Sequence, residues 1–352
     1  MVEQLPTVVF PVEVPQIHRG VWCPVPPDDP VIDYIARKLW PDDSAPSAWE
    51  MARLAHAVYL YRETTTHWTV VIKFYSVKTD ESSAQRHAER EFECTLQARA
   101  LGVATGYPRM VRPLAVWRGA LFLEYVDGLT LQDVIAVRRH RPGTLLPALT
   151  NVAELLATFH THSIQRDHRP SFETPPAKAL KIVHVLVKYG VLHDDPISAQ
   201  GLRDLIAVWA AKPAMHAYTP TFVHGDATTS NFVFPWEGGV VAIDWERFKV
   251  ADPAADLGRL LAEITHSLQQ HGTTVREALP DIEHTLEAYC NKLPPDWALE
   301  PFLERTRFYR AISLLRIARN GWVSREDRLA LITQAYALLC QQGAGVEVEP
   351  QP

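Results

Sequence analysis

The chain has 352 residues, of which 47% are hydrophobic and 22% charged, and its formal net charge is −6. This length and balance predict a globular protein of one large domain or two lobes, whose core needs neither disulfides nor a structural metal. No Lys/Arg-dense run is present, which argues against a nucleic-acid partner, and no apolar run reaches the roughly 18 residues of a membrane span.

The four cysteines are widely scattered and form no CxxC pair; they are Cys23, Cys94, Cys290 and Cys340. Such scatter is typical of free thiols in a reducing compartment rather than of a disulfide framework. The N-terminal sequence MVEQLPTVVFPVEVPQ lacks a basic segment followed by an apolar core, so we expect no signal peptide. These features together predict a cytoplasmic protein with no membrane partner.

In chain order, a Pro-rich segment at 1–30 predicts an extended arm, and the periodicity of 31–40 predicts a helix. From Ala48 onwards the pattern becomes strand-like. One long helix is predicted at Glu81–Leu101, because this stretch contains no Gly or Pro and many helix-forming residues. The strands predicted around this helix are 57–62, 68–76, 113–117 and 120–126.

After Asp127 the chain is predicted to be mostly helical, with a short β-rich island at 221–246. The predicted helices are 130–139, 147–162, 176–190, 199–211, 275–291, 299–319 and 324–341. We therefore expect an α+β fold. Its predicted parts are an arm and helix at 1–47, a small antiparallel-sheet lobe at 48–126, a larger helical lobe at 127–342 and a disordered tail at 343–352.

The β-rich island carries a set of residues suited to phosphoryl transfer, which needs a carboxylate base and oxygen ligands for Mg²⁺. Asp226 and Asn231 are five residues apart, a loop length that aims both side chains at one place. Asn231 begins the run NFVF, and a turn returns the chain to Asp244, so a hairpin places Asn231 beside Asp244. Glu246 is either a further metal ligand or a surface carboxylate.

The segment HGDATTSN followed by IDWE resembles the catalytic loop of the aminoglycoside phosphotransferase and choline kinase families, distant relatives of protein kinases. The residues that match are His224, Gly225, Asp226, Asn231, Ile243, Asp244 and Glu246. The resemblance implies a protein-kinase-like fold of two lobes, ATP or GTP as donor, Mg²⁺ as cofactor and a small alcohol as acceptor. It also implies that Asp256, in the run DPAADL, braces the catalytic loop.

The kinase pattern further predicts a strand lysine on the nucleotide phosphates and a helix glutamate that holds it. Lys73 in VVIKFY resembles that lysine. Glu91 is the preferred partner and Glu93 the alternative, because residues two apart point roughly 160° apart on a helix. The predicted catalytic set is therefore Asp226, Lys73 and Glu91.

The run ALFLEYVDG resembles the hinge that binds the base in these families. The resemblance implies that Leu123 lines the base pocket, while the backbones of Glu124 and Val126 bond the base edge. The sequence departs from the kinase pattern in the turn that is expected to cover the phosphates. This turn, near Ala55–Ala57, contains no glycine. Glycine lets backbone amides approach phosphate most closely, so this departure weakens the expectation of nucleotide binding.

Two further functions stay open at this point. The missing glycines permit a nucleotide-binding pseudokinase, although the residues expected for catalysis argue against it. A protein kinase is disfavoured because no A-P-E element follows Asp244. His160 and His162 are two residues apart and so point to different sides of a helix, which predicts ordinary helix-end histidines rather than a metal pair.

Overall fold

The computed structural model describes residues 20–26, 28–40, 48–75, 80–101, 109–192 and 197–341. Most of the Pro-rich arm and the tail at 343–352 lie outside the described residues. The chain divides into two compact units: unit 1 comprises residues 1–96 and 111–125, and unit 2 comprises residues 97–110 and 126–352.

The strands are β1 (Trp22–Pro24), β2 (Trp49–Ala55), β3 (Val58–Glu63), β4 (Thr69–Phe74), β5 (Arg109–Met110), β6 (Pro113–Trp117), β7 (Ala120–Glu124), β8 (Gly128–Thr130), β9 (Thr221–Val223), β10 (Phe232–Pro235), β11 (Val241–Ala242) and β12 (Lys249–Ala251). The helices are α1 (Pro30–Lys38), α2 (Glu81–Leu101), α3 (Leu131–Val137), α4 (Leu145–His162), α5 (Thr174–Lys188), α6 (Ala199–Ala211), α7 (Pro213–His216), α8 (Ala254–Gln270), α9 (Val275–Cys290), α10 (Leu299–Ala318) and α11 (Arg325–Cys340).

Unit 1 is built on a six-stranded antiparallel sheet with the strand order β1-β2-β3-β4-β7-β6. Its core packs aromatic and branched side chains of the central strands against α1, which Asp29 caps by accepting a hydrogen bond from Val31 N at 2.8 Å. The turn between β2 and β3 is the one expected to cover phosphates. Ala57 there has a φ of +62°, a left-handed conformation that favours glycine.

Unit 2 is mostly helical, and one core cluster joins α5, α6, α8, α10 and α11. Two small sheets hold the β-rich island: a four-stranded sheet in the order β5-β11-β10-β8, and the antiparallel pair β12-β9. Helix α8 approaches α10 very closely at Gly258. A Cβ there would lie 2.7 Å from both the Arg310 amide nitrogen and the Thr306 carbonyl oxygen, so the contact requires glycine.

The predicted α+β class is confirmed, and α2 has the bounds that the sequence predicted. Helix α8 was missed. It begins directly after Asp252-Pro253 and contains Gly258, two signals that usually mark a turn. Proline suits the start of a helix, however, because the first amides have no partner within the helix, and the glycine serves the close contact with α10.

Candidate active site

The loop that carries Asp226 in unit 2 leaves β9, passes through residues 224–228 and forms a short 3-10 turn at Thr229–Asn231 before β10. Gly225 turns the chain with a φ of +80°. A Cβ at this position would lie 2.3 Å from the carbonyl oxygen of Arg247, in the segment that leads to β12. The loop therefore depends on glycine at 225 for both its backbone angle and its packing.

A buried carboxylate braces this loop, as the resemblance implied. Asp256, on α8, accepts hydrogen bonds from the backbone N–H groups of His224 at 2.6 Å and Gly225 at 2.9 Å. His160 Nε2 lies 3.2 Å from the same carboxylate, and its Nδ1 lies 2.6 Å from the Tyr289 hydroxyl. Burial opposes the charge, but the bonds to His160 and the loop outweigh it and lower the pKa of Asp256.

His160 thus helps Asp256 to hold the loop in place, a role that was not predicted from the sequence. Its side chain is fully buried on α4, whereas His162 is exposed. The expectation that the two point to different sides of the helix agrees with this placement. The position of His160 on the apolar side of a predicted helix could have indicated a buried role for this histidine.

Asp226 follows the braced residues and meets two arginines. Arg259 Nη1 donates to the Asp226 carboxylate and, at 2.9 Å, to the carbonyl oxygen of Gly225. Arg247 Nη1 lies 3.6 Å from the same carboxylate oxygen, Oδ1. Burial and the nearby Arg316 lower the pKa of Arg259 to about 10, so it stays charged at neutral pH.

The two arginines fix one oxygen of Asp226. Within the described part of the chain, both arginine contacts go to Oδ1 and no hydrogen bond to Oδ2 is formed. Arg259 was not predicted from the sequence. Its position three residues after Asp256 on α8 puts both side chains on the same side of that helix, which was a usable signal.

Asn231 and Asp244 are brought together by the β10–β11 pair, in which Phe232 lies opposite Ala242. Ile243 N donates to the Asn231 carbonyl oxygen at 2.9 Å, and this places Asp244 just beyond Asn231 on the neighbouring segment. The structure therefore supports the predicted hairpin, although Asn231 ends a 3-10 turn rather than beginning the strand.

The side chains at this hairpin suit a hard cation. Asn231 Nδ2 donates to the Asp226 carbonyl oxygen at 2.9 Å, which turns the amide oxygen Oδ1 away from that bond. Asp244 has a φ of +64°, a strained conformation for a non-glycine residue and a common feature of functional sites. Glu246 is partly exposed and lies 3.5 Å from Arg247 Nε. Carboxylate and amide oxygens are the ligands that Mg²⁺ prefers.

Unit 1 contains the predicted lysine–glutamate pair. Lys73 Nζ on β4 lies 2.8 Å from Glu91 Oε2 on α2, and the Glu91 side chain is only 2% exposed. Tyr75 donates its hydroxyl to the same carboxylate, a contact that sequence reasoning missed. Glu93 is exposed, so the geometry selects Glu91 from the two alternatives.

The predicted base-binding residues divide between the units. In unit 1, Leu123 is buried in β7, and Glu124 N donates to the Arg112 carbonyl oxygen at 3.0 Å. The N–H of Glu124 is therefore committed within the unit. Val126, in unit 2, is half-buried.

The family model described as "Phosphotransferase enzyme family" matches residues 58–303, more than half of the chain. The chain belongs to this family. The expectation of a phosphotransferase with a hydroxyl acceptor is confirmed at this level. No curated protein matches the chain by sequence.

Solved structures share the fold at low sequence identity. The streptomycin–ATP ternary complex of APH(2")-IIa aligns with a TM-score of 0.52 and 14% identity, over 90% of this chain and 99% of that one. Macrolide 2'-phosphotransferase MphH from Brachybacterium faecium aligns with 0.51 and 13%, over 87% and 98%. Choline kinase LicA from Streptococcus pneumoniae aligns with 0.50 and 17%, over 82% and 91%. The predicted protein-kinase-like fold is confirmed.

Within the described residues, no helix is both long and apolar enough to cross a membrane.

Proposed function

We propose that this protein is a small-molecule kinase that transfers the γ-phosphate of ATP or GTP to a hydroxyl group, with Asp226 as catalytic base. The observation that carries the proposal is the braced loop of unit 2, which presents one free oxygen of Asp226 while Asn231 and Asp244 stand on the adjoining hairpin. Phosphoryl transfer relies on positioning and charge more than on covalent chemistry, and this loop supplies positioning.

The reaction needs one proton acceptor. The acceptor hydroxyl gives its proton to Oδ2 of Asp226 while its oxygen bonds to the γ-phosphorus. The bond from that phosphorus to the β–γ bridging oxygen breaks, and the nucleoside diphosphate leaves with the bonding electrons. Arg259 holds Oδ1 meanwhile, so the carboxylate keeps one orientation relative to the hydroxyl.

Asn231 Oδ1 and the carboxylate of Asp244 would hold Mg²⁺, with Glu246 as a further ligand. When bound, the ion neutralises charge on the nucleotide phosphates. The anchoring of this hairpin supports the assignment, since His224 Nε2 lies 2.9 Å from the carbonyl oxygen of Ile243, directly before Asp244.

The nucleotide would be positioned by unit 1. Lys73, oriented by Glu91 and Tyr75, is proposed to contact the phosphates. Leu123 is proposed to line the base pocket, with the backbones of Glu124 and Val126 at the base edge. Two fold relatives support a nucleotide donor, because one is a streptomycin–ATP ternary complex and the other, APH(2'')-Ib with a TM-score of 0.51, is ADP-bound.

The acceptor is proposed to be a small alcohol. The fold relatives include a streptomycin complex, a macrolide phosphotransferase and a choline kinase, all of which concern small molecules.

Steady-state transfer to a broad panel of small alcohols, with ATP and GTP and with Mg²⁺ present or absent, tests the proposal. Asp226→Asn is expected to lower kcat by about 10²–10⁴-fold while nucleotide binding is unchanged. Asp167→Asn, which changes an exposed carboxylate on a loop of the same unit, should leave both unchanged. Wild-type turnover in the Asp226 variant would refute the base assignment.

A nucleotide-binding pseudokinase is the second candidate. It is favoured by the β2–β3 turn, where Ala57 rather than glycine takes the left-handed conformation. The same panel separates the two candidates: a pseudokinase binds nucleotide but transfers phosphate to no alcohol, whereas a kinase transfers it to at least one.

A further inference from the structure

The surroundings of Asp226 are rich in cations. The basic cluster consists of Lys178, Arg247, Lys249, Arg259 and Arg316. Arg259 lies within electrostatic range of Arg247, Arg316 and Asp226, and Lys249 lies within electrostatic range of Lys178, Arg247 and Arg259. These positions come from α5, α8, α10 and the segment around β12, so several elements converge on one charge environment.

The carboxylates nearby do not balance these cations well. Asp256 is already committed to the two loop amides and His160. Glu263 pairs with Arg316, and Glu246 lies beside Arg247. With Asp226 and Asp244 added, five carboxylates face the five cations, but Asp256 is occupied by the loop amides and Asp244 is proposed to hold Mg²⁺, so three remain for the cations. Like charges held this close cost free energy unless a counterion joins them.

Two buried polar atoms lack partners, one in the cluster and one about two turns along α8 from Arg259. Arg259, Glu263 and His266 are four and three residues apart on α8 and therefore share one side of the helix. Arg316 Nε and His266 Nε2 are both buried, and neither has a hydrogen-bond partner among the described residues. Buried polar atoms without partners are rare and call for a bound water, ion or ligand.

We propose that the acceptor alcohol carries an anionic group, a carboxylate or a phosphate ester, which the arginines of the basic cluster bind beside Asp226. This inference rests on the proposed kinase function and narrows its substrate class. A guanidinium has five N–H donors, so Arg247, Arg259 and Arg316 keep donors for an oxyanion besides their present carboxylate partners. An acceptor bearing amino groups would instead meet like charge.

A matched series of acceptors tests this charge preference at saturating ATP and Mg²⁺. Glycerol, glycerate, glycerol 3-phosphate and 3-amino-1,2-propanediol share one frame and differ in the charge at one end. Glucose, gluconate, glucose 6-phosphate and glucosamine form a second series. The expected result is a kcat/KM at least tenfold higher for an anionic member than for its neutral counterpart, and lowest for the amine. Comparing the carboxylates (glycerate and gluconate) with the phosphate esters (glycerol 3-phosphate and glucose 6-phosphate) identifies which anion is bound.

Arg316→Gln and Arg247→Gln should each remove most of this preference, chiefly through KM. Arg247 is the safer variant for folding, because half of its side chain is exposed. Arg319→Gln is the matched control, since Arg319 is an exposed arginine one turn further along, at the end of α10.

Preference for a neutral or amino member, here or in the broader alcohol panel, overturns the inference and leaves the kinase function intact. An anion preference that survives both arginine variants also overturns it. Nucleotide binding without transfer to any alcohol contradicts the kinase function itself, and the inference falls with it.

Discussion

Asp256→Asn is the most informative single change, because it keeps the shape of the side chain and removes only its charge and one acceptor. In the native loop, one carboxylate oxygen accepts from the backbone of Gly225, and the other accepts from the backbone of His224 and lies beside His160. An asparagine has a single carbonyl oxygen. Whichever way its amide is oriented, an NH₂ group faces at least one backbone N–H.

The cost follows from these contacts. One buried donor left without a partner costs about 1–3 kcal/mol, and the loss of charge from the remaining bonds adds about 1–2 kcal/mol. Since the site is almost fully buried, solvent cannot compensate. We expect the free energy of unfolding to fall by about 2–5 kcal/mol, a large part of a typical domain stability of about 5–15 kcal/mol.

Denaturant unfolding measures this loss, and kcat at a temperature where the variant is folded measures the effect on the loop. We expect kcat to fall as well, because Asp226 directly follows the released amides. Asp167→Asn is the control for removing one charge from unit 2. A variant within 1 kcal/mol of wild type and fully active would show that Asp256 does not brace the loop.

Three other outcomes are expected. Gly225→Ala should destabilise the fold by about 2–4 kcal/mol in denaturant unfolding, because the new methyl group meets the Arg247 carbonyl at a positive φ; full stability would contradict that geometry. Glu91→Gln should lower kcat about tenfold or more in single-turnover kinetics, whereas Glu93→Gln should not; the reverse pattern would contradict the helix register. Burial lowers the pKa of His266, so the unfolded state takes up the proton first, and stability should fall as pH drops below about 6.5. His266→Gln should weaken that dependence in unfolding curves from pH 5 to 8, and an unchanged dependence would refute the assignment.

Much of this architecture was predictable because its signals are local. The helix α2 follows from a run without breakers, and the meeting of Asn231 with Asp244 follows from two short strands and a turn. The pairing of Lys73 with Glu91 rather than Glu93 was a question of helix face, and the structure answers it with a direct contact.

The features that were missed depend on contacts distant in sequence. Arg259 reaches Asp226 across 33 positions, and His160 reaches Asp256 across 96. Neither hydrophobic periodicity nor the spacing of motif residues predicts such contacts, because tertiary packing decides which buried polar groups meet. Helix α8 was overlooked for a related reason: Gly258 lowers local helix propensity and is explained only by its neighbour α10.

The close contact at Gly258 also constrains how this protein can change during evolution. Helix α8 carries Asp256, which holds the loop in place, Arg259, which contacts Asp226, and the polar side chains beyond them. Because its backbone touches that of α10 with no side chain between them, α8 has no room to shift or rotate without a clash. New acceptor preferences must therefore arise by exchanging side chains, while the position of α8 relative to Asp226 stays the same.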